Sequence, residues 1–153
     1  MPVKFGRDAN SGPKSQGDFQ QASSFSVELD GVTVGGIVAV DGIGDENEVV
    51  PYRHGEENAT RTRAGNILMK PITLTREWAA NKEFMNWRQN VRDGKTDRRS
   101  VSIIFLSDDK TESMRLNLFN AWPSAWFGPE LKTTSSAHAV ERLVLQYEDM
   151  KFA

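Results

Sequence analysis

From Phe25 onward the chain alternates apolar and polar residues with a period of two, and that alternation limits what it can fold into. Phe25, Val27 and Leu29 alternate with Ser26, Glu28 and Asp30. Successive side chains of a strand point to opposite faces, so the pattern predicts a strand with one buried face. Asp30-Gly31 follows, a dipeptide suited to a tight type I′ turn because both of its central residues take positive φ. Val32 and Val34 resume the alternation, Gly35-Gly36 permit a bend, and Ile37 to Val40 continue as strand. Further strands are expected at Glu46 to Tyr52, Ile67 to Thr75, Arg99 to Leu106, Met114 to Leu118 and Ala139 to Tyr147. Pro51 has no N–H for a ladder, which places it at a strand end or edge. Asn120-Ala121-Trp122-Pro123 is expected to end its strand, and Trp126 to Lys132 to form an irregular aromatic crossing.

One stretch has a helical period instead. Over Trp78 to Val91, residues Phe84, Trp87 and Val91 recur on one face, and Asp93-Gly94 supplies the stop. So narrow a stripe suits a helix laid on the outside of a sheet, with Phe84, Trp87 and Val91 as its packing residues. Many short strands, tight turns and one helix predict a mainly β domain. We expect a small antiparallel barrel or sandwich with one α-helix packed outside.

Two segments fall outside this pattern. Residues 1–24 are rich in Gly, Ser, Gln, Asn and Asp, with Phe5 and Phe19 as isolated large apolar residues. Such a composition cannot bury enough surface to offset its ordering entropy, so it reads as a flexible N-terminal arm ahead of a domain over 25–153. His54 to Asn66 is polar and charged, flanked by Gly55 and Gly65, and reads as a loop of about a dozen residues, long for a compact domain.

The chemistry-bearing residues are few. The chain of 153 residues has no Cys, which excludes disulfides, thiolate metal sites and thiol nucleophiles. Its two histidines, His54 and His138, lack neighbours at metal-ligand spacing. Glu56-Glu57 and Asp108-Asp109 are adjacent acids in exposed turns, not a pair across a cleft. There is no GxSxG, and the glycine pairs lack the strand-to-helix setting of a phosphate cradle. The reading expects no enzyme activity, no cofactor and no metal. Nineteen Lys and Arg against 21 Asp and Glu give a net charge of −2, without a global pull towards nucleic acid or anionic lipid. No apolar run reaches membrane-spanning length and no signal-like segment follows Met1, so neither secretion nor stable membrane anchoring is expected. Trp122 and Trp126 leave a sugar-stacking platform open as a second reading. A chain with a strong fold and no catalytic set is expected to act through its surfaces. Strand edges are the surfaces such a fold has ready for pairing.

The order of short motifs resembles the tail tube proteins of phages and the inner tube proteins of contractile injection systems, the Hcp-like proteins included. Phe25-x-Val27-Glu28-x-Asp30-Gly31 is similar to the family's F-x-V-E-I-D-G opening, and Val40-Asp41-Gly42-Ile43 to its V-S-G-L. Tyr52-Arg53-His54-Gly55 resembles Y-R-x-G, and Ile72-Thr73-Leu74 ahead of the Trp87 helix resembles its I-T-L segment. Asn120, Ala121, Trp122 and Pro123 match N-A-W-P, and Ala139 to Leu143 resembles its last strand. Ala64-Gly65 departs from the family's frequent Pro-Gly.

The resemblance implies hexameric rings whose inner sheets join into one wide barrel and stack as a hollow tube. It implies a contractile sheath, a baseplate or tube initiator, and DNA or effector protein passing through the lumen without specific binding. Assembly would take place in the bacterial cytoplasm, and the product would be part of a virion tail or injection particle. Ring stacking falls to the long loop, with Arg53, His54, Glu56, Glu57, Arg61 and Arg63 as its residues, and to the arm. Asn120, Trp122 and Pro123 form a strand-end core motif. Ser26, Glu28 and Asp30, or else Arg142, Val144 and Gln146, face the lumen. A tube initiator or terminator on the same fold is the alternative role.

Overall fold

The structure is a computed structural model and describes residues 20–153. The arm expected over residues 1–24 lies outside the described residues except for Gln20 to Ser24. These five are tied to the strand that ends at Leu106. The Gln20 side-chain amide donates to the Ser24 and Leu106 carbonyls at 2.8 and 3.0 Å, and Leu106 N–H donates to Ser24 O at 3.0 Å.

Ten strands and one helix follow. β1 (Phe25–Leu29) and β2 (Val32–Val34) form a hairpin; β3 (Ile37–Asp41) comes next, then β4 (Asp45–Tyr52), β5 (Arg61–Met69) and β6 (Ile72–Glu77). After α1 (Glu83–Arg92) come β7 (Arg99–Leu106), β8 (Glu112–Phe127), β9 (Val140–Gln146) and β10 (Asp149–Phe152). The chain is mainly β and every pairing is antiparallel. Hydrogen-bonded neighbours run β2-β1-β7-β8-β9-β6-β3, with β10 also on β8. The end strands β2 and β3 do not pair with each other, so the protomer is an open sandwich and its barrel is not closed within one chain.

The β1–β2 turn takes the predicted geometry. Asp30 and Gly31 have φ of 49° and 82°, the two positive values a type I′ turn needs. Its carboxylate also accepts the Ser100 N–H at 2.9 Å, which joins the turn to β7.

β8 joins the two sheets. Its first part pairs with β7 and β10, its second with β9. The sequence predicts a strand ending at Asn120, yet the strand continues through Phe127. Asn120 has φ 53° and bends the strand rather than ending it; a short polar side chain tolerates that left-handed region. Its amide donates to Glu148 at 2.9 Å and Glu148 N–H donates to Phe119 O, so the bend is clamped by the link from β9 to β10. Pro123 is accommodated because the second half of β8 has a strand partner on one side only.

Val27, Leu29, Val101, Ile103, Leu116 and Leu118 of the first sheet meet Ile72, Leu74, Leu143 and Leu145 of the second, all essentially buried. α1 closes one opening of this core with Phe84 and Trp87, both fully buried, while Val91 is half-buried. The helix starts at Glu83, five residues after Trp78, because the preceding chain is held in another conformation. Trp78 N–H donates to Ala139 O at 2.9 Å, its ring lies 6.4 Å from that of Trp126, and Ala80 has φ 54°. Gly94, at φ 80°, ends the helix. No helix among the described residues is long and apolar enough to cross a membrane.

Candidate assembly interface

The segment expected as a loop from His54 to Asn66 is loop as far as residue 60 and strand from Arg61 onward. β4 and β5 pair from Asp45↔Met69 to Tyr52↔Arg61, and only residues 53–60 connect them. Nearly every residue of this ribbon is exposed on both faces. The strand expected from Glu46 to Tyr52 is present as β4, whereas the outer part of β5 reads as loop from the sequence: a strand with no buried face needs no apolar period. The strand expected from Ile67 to Thr75 is accordingly two strands, broken at Lys70-Pro71, where the ribbon leaves the second sheet.

The root of the ribbon is rigid. Tyr147 is nearly buried and its hydroxyl donates to Lys70 O at 2.6 Å, while Lys70 N–H donates to Gly44 O at 3.2 Å. Burial first, and then the nearby Asp45 carboxylate, raise the pKa of Tyr147, which keeps it a donor. Gly42 has φ 88°, and a Cβ there would lie 2.4 Å from Pro71 O, so the residue before the ribbon must be glycine. Farther out, the register slips between Asn47 and Val49, and Gly65 sits in the bulge with no room for a side chain against Glu48 and Val50. The ribbon therefore leaves the body in one direction instead of swinging freely.

Arg53, His54, Glu56 and Glu57 stand in its tip, and Arg61 and Arg63 on β5 beside them, all exposed. Arg61 makes a two-pronged pair with Glu57 at 3.0 and 3.1 Å. No ion-pair partner of Arg53 or Arg63 occurs among the described residues. Ser26 and Glu28 lie on the outward face of the first sheet; Arg142, Val144 and Gln146 lie on that of the second. Asn120 is exposed at the β8 bend, Trp122 is half-buried and Pro123 is buried.

Trp122 and Trp126 do not form a platform. The register sets Trp122 opposite Gln146 and Trp126 opposite Leu143, on opposite faces of the sheet. The Trp126 indole N–H donates to Glu141 at 3.0 Å. That carboxylate belongs to a buried cluster that sequence reasoning missed. Arg76 and Glu141 are 3% and 1% exposed and pair at 2.7 Å, with the Arg76 guanidinium 3.9 Å from the centre of the Phe84 ring. The signal was present: Arg76 shares the inward parity of Ile72 and Leu74, and Glu141 that of Leu143 and Leu145. Opposite charges on the buried faces of two strands mark a buried pair. Among the described residues no group of three or more His, Cys, Asp or Glu could hold a metal ion.

The open two-sheet sandwich with one helix agrees with the fold that the motif resemblance implies. The family profile of the T4-like virus tail tube protein gp19 matches residues 21–151, and the chain belongs to that family. A search of curated protein sequences finds no match. Among solved structures, a chain of the PVC sheath–tube complex of an extracellular contractile injection system, in its extended state, is similar with a TM-score of 0.80. It is 20% identical, over 92% of this chain and 99% of that one. A chain of the anti-feeding prophage tube-terminating cap gives 0.82 at 19% identity, over 96% and 99%. A chain from the PVC sheath/tube terminator gives 0.79 at 21%, over 87% and 95%. These likenesses show a shared fold.

Proposed function

We propose that the chain is a structural subunit of the inner tube of a contractile tail or injection particle. Six copies close into a ring, and rings stack into a hollow tube that carries DNA or effector protein. The observation that carries this reading is the family match over residues 21–151, on a fold whose sheet is left open within one chain. Free edges at β2 and β3 present unpaired N–H and C=O groups, and pairing between copies satisfies them without leaving an edge for aggregation. A contractile sheath surrounds the tube and a baseplate seeds it, with assembly in the bacterial cytoplasm. The bore holds its cargo weakly, since six copies carry a formal charge of only about −12 and no excess of basic groups.

Ring stacking is the role of the ribbon tip, through Arg53, His54, Glu56, Glu57, Arg61 and Arg63. Charged groups on an arm held rigidly at its root suit a contact that repeats along an axis. Removing Glu56 to Arg63 should leave the protomer folded by circular dichroism and abolish tube growth in negative-stain images. Elongation at the wild-type rate would refute the stacking role. The cap and terminator likenesses favour one second reading, a tube-ending subunit on the same fold. It predicts single rings that never elongate.

A further inference from the structure

The β4–β5 ribbon has two unlike faces. Pairing sets Asp45 opposite Met69, Asn47 opposite Ile67, Val49 opposite Ala64 and Pro51 opposite Thr62, so these eight residues share one face, whose single charge, Asp45, lies at the root. The other face carries four charged residues, Glu46, Glu48, Arg61 and Arg63, together with Val50, Tyr52 and Leu68. Beyond Asp45 this first face is uncharged and open to solvent, with Val49 70% and Ile67 61% exposed. A two-stranded ribbon is marginal in water without cover on one face, and none of the described residues covers it.

A groove of about 250 Å³ matches it in character. It lies beside β3 and the ends of β1 and β7, and its lining includes Phe25, Val38, Val40, Ile43, Ile103 and Phe105, with no charged residue. Val38 and Ile43 are 47% and 42% exposed. β3 is the last strand of its sheet, so the groove borders an open edge. We propose that the outer, uncharged part of this ribbon face, around Val49 and Ile67, seats on this groove and the β3 edge of a second copy. The proposal rests on the tube reading and names the two surfaces that meet.

Three observations select a second copy as the occupant. The groove and the outer part of the ribbon face, beyond Asp45, lack charge, so contact there desolvates no ion. The two surfaces are different patches of one chain, and such a heterologous contact propagates into a ring or a stack, whereas a self-complementary patch stops at a dimer. The groove adjoins an unpaired strand edge, which adds main-chain hydrogen bonds to side-chain seating, as in strand addition.

Absence of Cys makes the test direct. Full-length chains carrying Val38→Cys with either Val49→Cys or Ile67→Cys are oxidised mildly and separated on a non-reducing gel. A disulfide forms only where the Cα atoms approach to about 4.4–6.8 Å. The expected result is a ladder of covalent oligomers from one of these chains, and none from Val38→Cys with Arg63→Cys on the charged face. Val38→Arg, at an exposed site, should keep the fold and lose assembly. Tubes that form without any such ladder, or a link confined within one chain, would overturn the pairing while leaving the tube reading intact. So would links that appear only after residues 1–19 are removed, which would show that segment holding the groove. A chain that never oligomerises would overturn both.

Discussion

Trp87→Ala should lower the stability of the protomer by about 3–5 kcal/mol, the range for truncating a fully buried Trp. Trp87 is fully buried between α1 and the sheets, and its indole N–H donates to Asp97 O at 2.8 Å. The Arg99 guanidinium sits 4.9 Å from the centre of the ring and is itself held by Asp97 at 3.1 Å. Truncation therefore opens a cavity, strands the Asp97 carbonyl and removes the surface on which Arg99 rests. Against a total of about 5–15 kcal/mol for a domain, that is a large fraction. Trp87→Phe separates the parts: it keeps most of the packing and should cost the smaller amount, about 1–3 kcal/mol, of a buried carbonyl without its donor. Denaturant unfolding of a non-assembling background reads both. A loss below about 0.5 kcal/mol for Trp87→Ala, well under any buried-Trp truncation, would mean that the helix is not anchored there.

Glu141→Gln should cost a similar amount by a different route. Among the described residues Glu141 is the only buried carboxylate within pairing distance of Arg76, since Glu83 stands 3.5 Å away with its side chain partly in water. Gln keeps the volume and an acceptor but removes the charge, and a buried ion left without its partner costs about 3–5 kcal/mol. The paired change Arg76→Met with Glu141→Leu is the control. Replacing a buried ion pair by apolar residues of similar volume is often neutral or stabilising. Here the Trp126 indole N–H also loses its acceptor, so a residual cost of about 1–3 kcal/mol should persist. If the single change is harmless, Arg76 and Glu141 do not depend on each other in the core. Assembly is expected to suffer only as far as the fold does, because neither residue reaches the ribbon or the groove.

These residues also show where the sequence was readable. The Asp30-Gly31 hairpin, the alternation of β1, β7 and β9, and the end of α1 at Gly94 are set by local rules, and local patterns revealed them. The places where reading failed are those where tertiary context decided. Asn120 looked like a strand end because polar residue, small residue and proline coincide, but its left-handed φ serves a bend between two sheets. β10 was missed because four residues ending in Lys-Phe carry little period, and pairing with β8 alone makes them a strand. The ribbon was missed in part because a strand solvated on both faces needs no hydrophobic code. The charged residues at its tip are exposed, as a run of polar residues reads as surface whether the backbone is loop or strand. What composition could not show is that Asn47, Val49, Pro51, Ala64 and Ile67 gather on one side. That follows only from the register and its bulge at Gly65.

On the proposed function a single chain is structurally incomplete, its sheet edges and ribbon being finished by copies of itself. Electron microscopy of the purified full-length protein tests this most directly. The predicted image is six-fold rings with a central hole, stacking end to end as concentration rises. Folded monomers, monodisperse at high concentration in every buffer tried, would contradict it.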